Sequence, residues 1–101
     1  MIVRSWRGRT RLADAEAYLA FLRGTVLPEL EALGSPGAYV LRRDLGDTAE
    51  FQVLSLWESM EAVRRFAGPQ PERAVIPAEG ARLLVEFDAE AAHYDVLHAP
   101  G

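Results

Sequence analysis

The segment Glu50 to Trp57, EFQVLSLW, constrains the fold most, because an extended reading of it leaves no hydrophilic side. In a strand, Phe51, Val53, Ser55 and Trp57 point one way while Gln52, Leu54 and Leu56 point the other. Both faces are then largely apolar, so this strand has to be covered twice. A chain of 101 residues can supply one cover from its own helices, with little left for a second.

The first cover is legible. From Leu12 to Leu33, the residues Tyr18, Leu19, Leu22, Val26, Leu30 and Leu33 recur at three- and four-residue spacing, the stripe of an amphipathic helix. Pro28 falls inside that stripe, where it removes one backbone donor and predicts a kink or a restart with Pro28 in a first turn. A second, shorter helix is expected from Ser59 to Phe66, with Ser59 as N-cap and Met60, Val63 and Phe66 inward. Strands are expected at Ile2–Arg9, Ala38–Leu45, Glu50–Trp57, Arg82–Phe87 and Tyr94–His98, and Gly46-Asp47-Thr48 closes a hairpin between the second and third. Between Gln70 and Gly80, two prolines and the patch Ala74-Val75-Ile76 predict a partly helical crossing segment.

The resulting order, β-α-β-β-α-β plus a terminal strand, predicts one domain over residues 1–101. Its class is α+β: a ferredoxin-like antiparallel sheet with both helices on one face. The other face, with Leu54 and Leu56, would form a patch that monomers seldom expose. A second copy is the expected cover, sheet against sheet, with the terminal strand reaching across to the partner.

Composition narrows the function. Fifteen acidic residues outweigh eleven basic ones, for a net charge of −4, and no basic run offers a nucleic-acid footprint. The longest apolar run, Ala17 to Leu22, is far short of a membrane span. With Arg4 following Met1-Ile2-Val3, no leader is read at the start, and a cytoplasmic protein is expected. Neither Cys nor Lys occurs, which excludes thiolate nucleophiles and Schiff-base chemistry. The glycines fit no phosphate-binding fingerprint, and His93 and His98 without a carboxylate cluster make no metal site.

Residues 54–68, LSLWESMEAVRRFAG, resemble the strand-to-helix W-x-S signature of the antibiotic biosynthesis monooxygenase (ABM) domain superfamily. Ala74-Val75, Leu83 to Phe87 and His93-Tyr94-Asp95-Val96 are similar to the closing segment of bacterial members, so the resemblance covers nearly the whole chain. It implies a homodimeric α+β barrel with a pocket in each subunit between the sheet and its own helices. It also implies oxygenation of an electron-rich aromatic, without flavin or a separate metal cofactor. Trp57 matches the strand tryptophan that lines the pocket in oxygenating members. Heme-degrading members use a histidine on the second helix and an asparagine on the first strand. Here Ser59–Phe66 has no histidine and the chain has no Asn, so that chemistry does not carry over. The asparagine of the polyketide oxygenases is missing too.

Among the remaining residues His93 is the candidate general base, since histidine titrates near neutral pH. Arg82 or Arg42 could stabilise an oxyanion, and Arg82 is taken as the candidate partner. Tyr39 and Tyr94 could donate to a substrate oxygen, and Tyr18 and Phe66 are expected at the pocket wall. Two function classes follow. One is a cofactor-independent monooxygenase of a hydrophobic, polyketide- or quinol-like aromatic. The other is a non-catalytic, small-molecule-binding or stress-related dimer.

Overall fold

A computed structural model describes all 101 residues. Strand β1 (Ile2–Arg11) leads through a short 3-10 turn, Leu12–Asp14, into helix α1 (Ala15–Phe21). A π-helical turn, Leu22–Val26, joins it to α2 (Leu27–Ala32). The hairpin β2 (Gly37–Leu45) and β3 (Thr48–Trp57) follows, then α3 (Met60–Ala67), α4 (Ala78–Ala81), β4 (Leu84–Phe87) and β5 (Ala92–Asp95). All strand pairs are antiparallel, in the order β2-β3-β1-β4, with β5 also on β1. The expected α+β class holds.

Pro28 is accommodated by the π-turn. Leu27 donates its N–H to the Leu22 carbonyl five residues back, which shifts the ladder just before the residue that has no N–H to give. The helix therefore runs on with Pro28 in the first turn of α2 and needs no break. In the hairpin, Leu45 pairs with Thr48, and Gly46 at φ +65° supplies the left-handed first position of a two-residue turn. Ser59 caps α3 as its sequence suggests, its Oγ accepting from the Ala62 N–H at 3.1 Å.

The pleat of β3 sorts as the alternation predicts. Ala49, Phe51, Val53, Ser55 and Trp57 are buried under the helices. They feed two core clusters, one around Ala15, Tyr18, Leu22, Phe51 and Val53, the other around Leu30, Trp57, Ala62 and Val63. The opposite face carries Leu54 and Leu56, half-buried, and nothing from this chain packs over it as a layer.

Two expectations fail at the C-terminal end. Arg82 was expected to open the fourth strand; instead it closes α4, its N–H donating to the Ala78 carbonyl, and the strand begins at Leu84. The terminal strand was expected at Tyr94–His98, reaching toward a partner. It lies at Ala92–Asp95 and pairs with β1 of the same chain. The reason is the length of β1. Strand β4 pairs only with Gly8, Arg9 and Thr10, which leaves the edge of Ile2–Ser5 unpaired, and β5 fills that stretch.

Replacing the α3 cap tests this packing of local signals. Ser59→Ala is expected to destabilise the fold by ~1 kcal/mol. It should lower the urea midpoint without changing the slope, and an unchanged midpoint would mean that α3 is held by tertiary packing alone.

Candidate functional site

The two core clusters do not merge, and the gap between them is a cavity bounded by sheet, helices and the crossing segment. Ten of its fourteen lining residues are hydrophobic. Val53 and Ser55 of β3 form the floor with Arg4 and Trp6 of β1, while Leu22 and Val26 of the π-turn help form the wall. Val75, Ile76 and Pro77 close one side. Gly80 is fixed there by close approach, since a Cβ would meet Phe21 Cε2 at 2.6 Å. About 60 Å³ is open to the centres of water-sized spheres, enough for several waters.

Tyr18 and Phe66, expected at the pocket wall, are there. Tyr18 is buried, packs edge-on to Phe51 at 5.1 Å, and burial raises its phenol pKa well above the ordinary value. It therefore stays protonated and serves as a donor. Its hydroxyl has no protein partner, yet no buried polar side-chain atom lacks one, so the oxygen must border open space.

Trp57 lies one layer back from where the sequence reading placed it. It is fully buried, is not a lining residue, and stacks on Phe66 at 5.5 Å. Its Nε1–H donates to Ser55 Oγ at 2.9 Å, so it orients a lining hydroxyl.

Tyr39 and Tyr94 lie across the sheet from the cavity. The register sets Tyr39 opposite Leu54, and Tyr94 opposite Val3, which itself pairs with Leu56. Both tyrosines are on the uncovered face, 58% and 59% exposed. Arg82 is exposed and lines no part of the cavity. Arg42 is also exposed and is taken up by Asp44 at 2.9 Å and Glu16 at 3.1 Å, contacts that raise its pKa.

The residue that sequence reasoning missed is Arg4, only 4% exposed and part of the cavity floor. Its NH1 donates to the Pro71 carbonyl and lies 2.9 Å from His93 Nε2, and its NH2 donates to the Arg73 carbonyl at 2.8 Å. The guanidinium also sits 5.6 Å from the Phe66 ring centroid. Burial lowers its pKa, and the nearby charge of Glu72 acts in the opposite direction. The available signal was the alternation of Ile2, Arg4 and Trp6, which sets Arg4 on the apolar side of β1.

His93 is half-buried beside that cation and does not line the cavity. A guanidinium only donates, so Nε2 accepts and the imidazole is neutral, with its proton on Nδ1. Burial first, and the Arg4 charge second, lower its pKa, while Glu72 opposes them.

No protein-family model matches the sequence, and a search of curated proteins returns no match. Solved structures do match. A candidate antibiotic biosynthesis monooxygenase from Bacillus cereus aligns over 100% of this chain and 95% of its own, at TM-score 0.65 and 18% identity. Another candidate so named, from Chloroflexus aurantiacus, aligns over 98% and 97%, at TM-score 0.53 and 20% identity. The likeness establishes a shared fold, in line with the resemblance read from residues 54–68.

The His93 environment sets a pH dependence. The folded imidazole stays neutral below the ordinary pKa of about 6.5, where the unfolded one gains a proton. Its stabilising contribution is thus full above that pH and is lost as pH falls toward the folded pKa. Urea midpoints between pH 7.5 and 5.5 should fall in wild type and fall less in His93→Gln. Equal slopes would remove His93 from the acid sensitivity.

Proposed function

We propose that this chain is a monooxygenase of the antibiotic-biosynthesis type, oxygenating a hydrophobic aromatic without a resident cofactor. The observation that supports it is the apolar cavity with a single buried guanidinium on its floor. Flat aromatic and aliphatic walls suit a ring system. Arg4 takes the oxyanion role that the sequence offered to Arg82, because it borders the space where negative charge develops. Tyr18 donates a hydrogen bond, Phe66 gives a stacking surface, and Trp57 positions Ser55 from behind. His93 acts through Arg4, which it contacts.

The step balances with dioxygen as oxidant. An anthrone-type CH2 loses a proton, and its carbanion adds O2 to form a C–O bond. Cleavage of the O–O bond, with loss of the second C–H proton, leaves a ketone and one water.

The active unit is a homodimer. On the uncovered face, Val3, Leu54 and Leu56 continue into exposed Tyr39, Leu41 and Tyr94 through the strand register. Arg7, Arg9 and Arg43 alternate there with Glu50 and Glu86, so a two-fold copy meets both signs of charge. Leu54→Asp should convert dimer to monomer, or unfold it, in light scattering at micromolar concentration, because a carboxylate would be buried unpaired. A folded dimer as stable as wild type would assign the interface elsewhere.

A second reading, a ligand-binding protein without turnover, is favoured by one observation: no histidine or carboxylate lines the cavity. Oxygen uptake with a panel of anthrones and hydroquinones separates the two. The proposal expects uptake above the spontaneous rate, reduced roughly 100-fold in Arg4→Met. Wild-type uptake no faster than the blank would sink it and leave the binding protein.

A further inference from the structure

Five arginines of the first hairpin and first strand have carboxylate partners: Arg7 with Asp88, Arg9 with Glu50 and Glu86, Arg11 with Asp14, Arg42 with Asp44 and Glu16, Arg43 with Glu50. Arg23, Arg64, Arg65, Arg73 and Arg82 are exposed, where water solvates the charge. Arg4 alone is both buried and without an ion pair. Its direct contacts, two carbonyls and a neutral imidazole, are uncharged, and the nearby carboxylate charge of Glu72 acts on it without forming an ion pair.

Three of its five N–H donors are used by these contacts, and Nε is the one guanidinium nitrogen with no partner. The Arg4 Nε–H has no acceptor in the protein, while no buried polar side-chain atom lacks a partner, so this nitrogen touches open space. The open space that Arg4 lines is the cavity. The other unpartnered polar group there, the Tyr18 hydroxyl, is held protonated and can donate. With no carboxylate or histidine in the lining, the cavity offers donors and positive charge to a ligand that must bring acceptor oxygen and negative charge.

We propose that the cavity takes an aromatic monoanion, a carboxylate or an already ionised hydroxyarene, whose charged oxygen pairs with the Arg4 guanidinium. This inference rests on the cavity being the ligand site of the reading above, and it deepens that reading by naming the ionisation state of the ligand. A carboxylate would serve as an anchor alone, whereas an ionised hydroxyarene has already lost to water the proton that the carbanion step removes, and begins that step without a base in the lining. The hydrocarbon body of such a ligand is matched by the ten hydrophobic lining residues, and the anion by the one cation.

Calorimetric titration of the full chain at pH 8 with two matched pairs tests this. One pair is 2-naphthoate against neutral 2-naphthamide, the other 4-nitrophenolate against neutral 4-nitroaniline. At least tenfold tighter binding of the anion is expected in one pair or both, and the pair that responds tells carboxylate from phenolate. Arg4→Met is expected to keep amide or aniline affinity within about twofold and to lose the preference for the anion. Because Arg4 also holds Pro71 and Arg73, the wild-type comparison stands by itself if that variant does not fold. Equal affinities within both pairs, or a preference that survives in folded Arg4→Met, would overturn the anion anchor and leave the aromatic cavity. Binding of none of the four would overturn both. A strong preference for the anion without oxygen uptake would retain the anchor and remove the oxygenase.

Discussion

A buried guanidinium joins the sheet to the crossing segment, and the rest of the molecule is arranged around it. Arg4 stands on the helix-facing side of β1 and donates to the carbonyls of Pro71 and Arg73, 67 and 69 residues further along the chain. The Arg73–Glu90 bridge, the backbone bonds Ala74 N–H to Ala89 and Ala91 N–H to Glu72, and the apolar side chains of Val75 and Ile76 hold the same stretch. The same side chain of Arg4 lines the cavity to which both core clusters contribute walls. An unpaired charge inside a protein is destabilising by several kcal/mol unless something offsets it. Here carbonyl dipoles, the Phe66 ring and the nearby charge of Glu72 offset part, and in the proposed reading an anionic ligand would offset the rest.

The sheet divides the labour between its faces by parity alone. Even-numbered residues of β1 and odd-numbered residues of β3 face the helices and build the cavity floor; the alternate sets build the uncovered face. A one-residue slip in either strand would exchange Arg4 and Val3, or Ser55 and Leu56, and destroy both surfaces together. Register is therefore functional as well as structural. It is secured at one end by the two-residue turn at Gly46-Asp47 and at the other by β5, which pairs with Ile2–Ser5 directly beside Arg4. That pairing also delivers His93 opposite Arg4, so the terminal strand completes the polar end of the site.

Most of the architecture was legible, and the errors have physical causes. The helical stripe, the Ser59 cap and the two-sided character of β3 are local patterns of period 3.6 or 2, and they survive folding unchanged. Arg82 was misread because an arginine after a short apolar patch gives no sign that a four-residue helix ends on it. β5 was misplaced because strand pairing is decided by which edge is open, a property of β1 and β4 and not of β5 itself. The faces of Tyr39 and Tyr94 were less hidden. With Gly46-Asp47 as the turn, Leu45 must oppose Thr48, and counting back sets Tyr39 beside Leu54 on the side already assigned to the partner. Arg4 went unread for a different reason: arginine is a surface residue by default, and nothing in composition announces the one that is buried.

The site differs from the chemistry that the sequence resemblance implies, and the difference lies in the same residue. An asparagine or a second-helix histidine would present a neutral polar group to a substrate, able to accept as well as donate; Arg4 presents a permanent charge that only donates. A neutral site selects substrates by shape and hydrogen-bond pattern, and has to create any anion it stabilises. A charged one selects by ionisation state before chemistry begins, since a neutral isostere would leave the guanidinium desolvated and unpaired. His93, kept neutral by burial and by the cation beside it, reinforces this, for it adds a hydrogen-bond acceptor to Arg4 without cancelling its charge. Protonating His93 would set two cations in contact and weaken the tether. In the proposed reading, the ionisation of one imidazole outside the cavity lining thus bears on the anion anchor through Arg4.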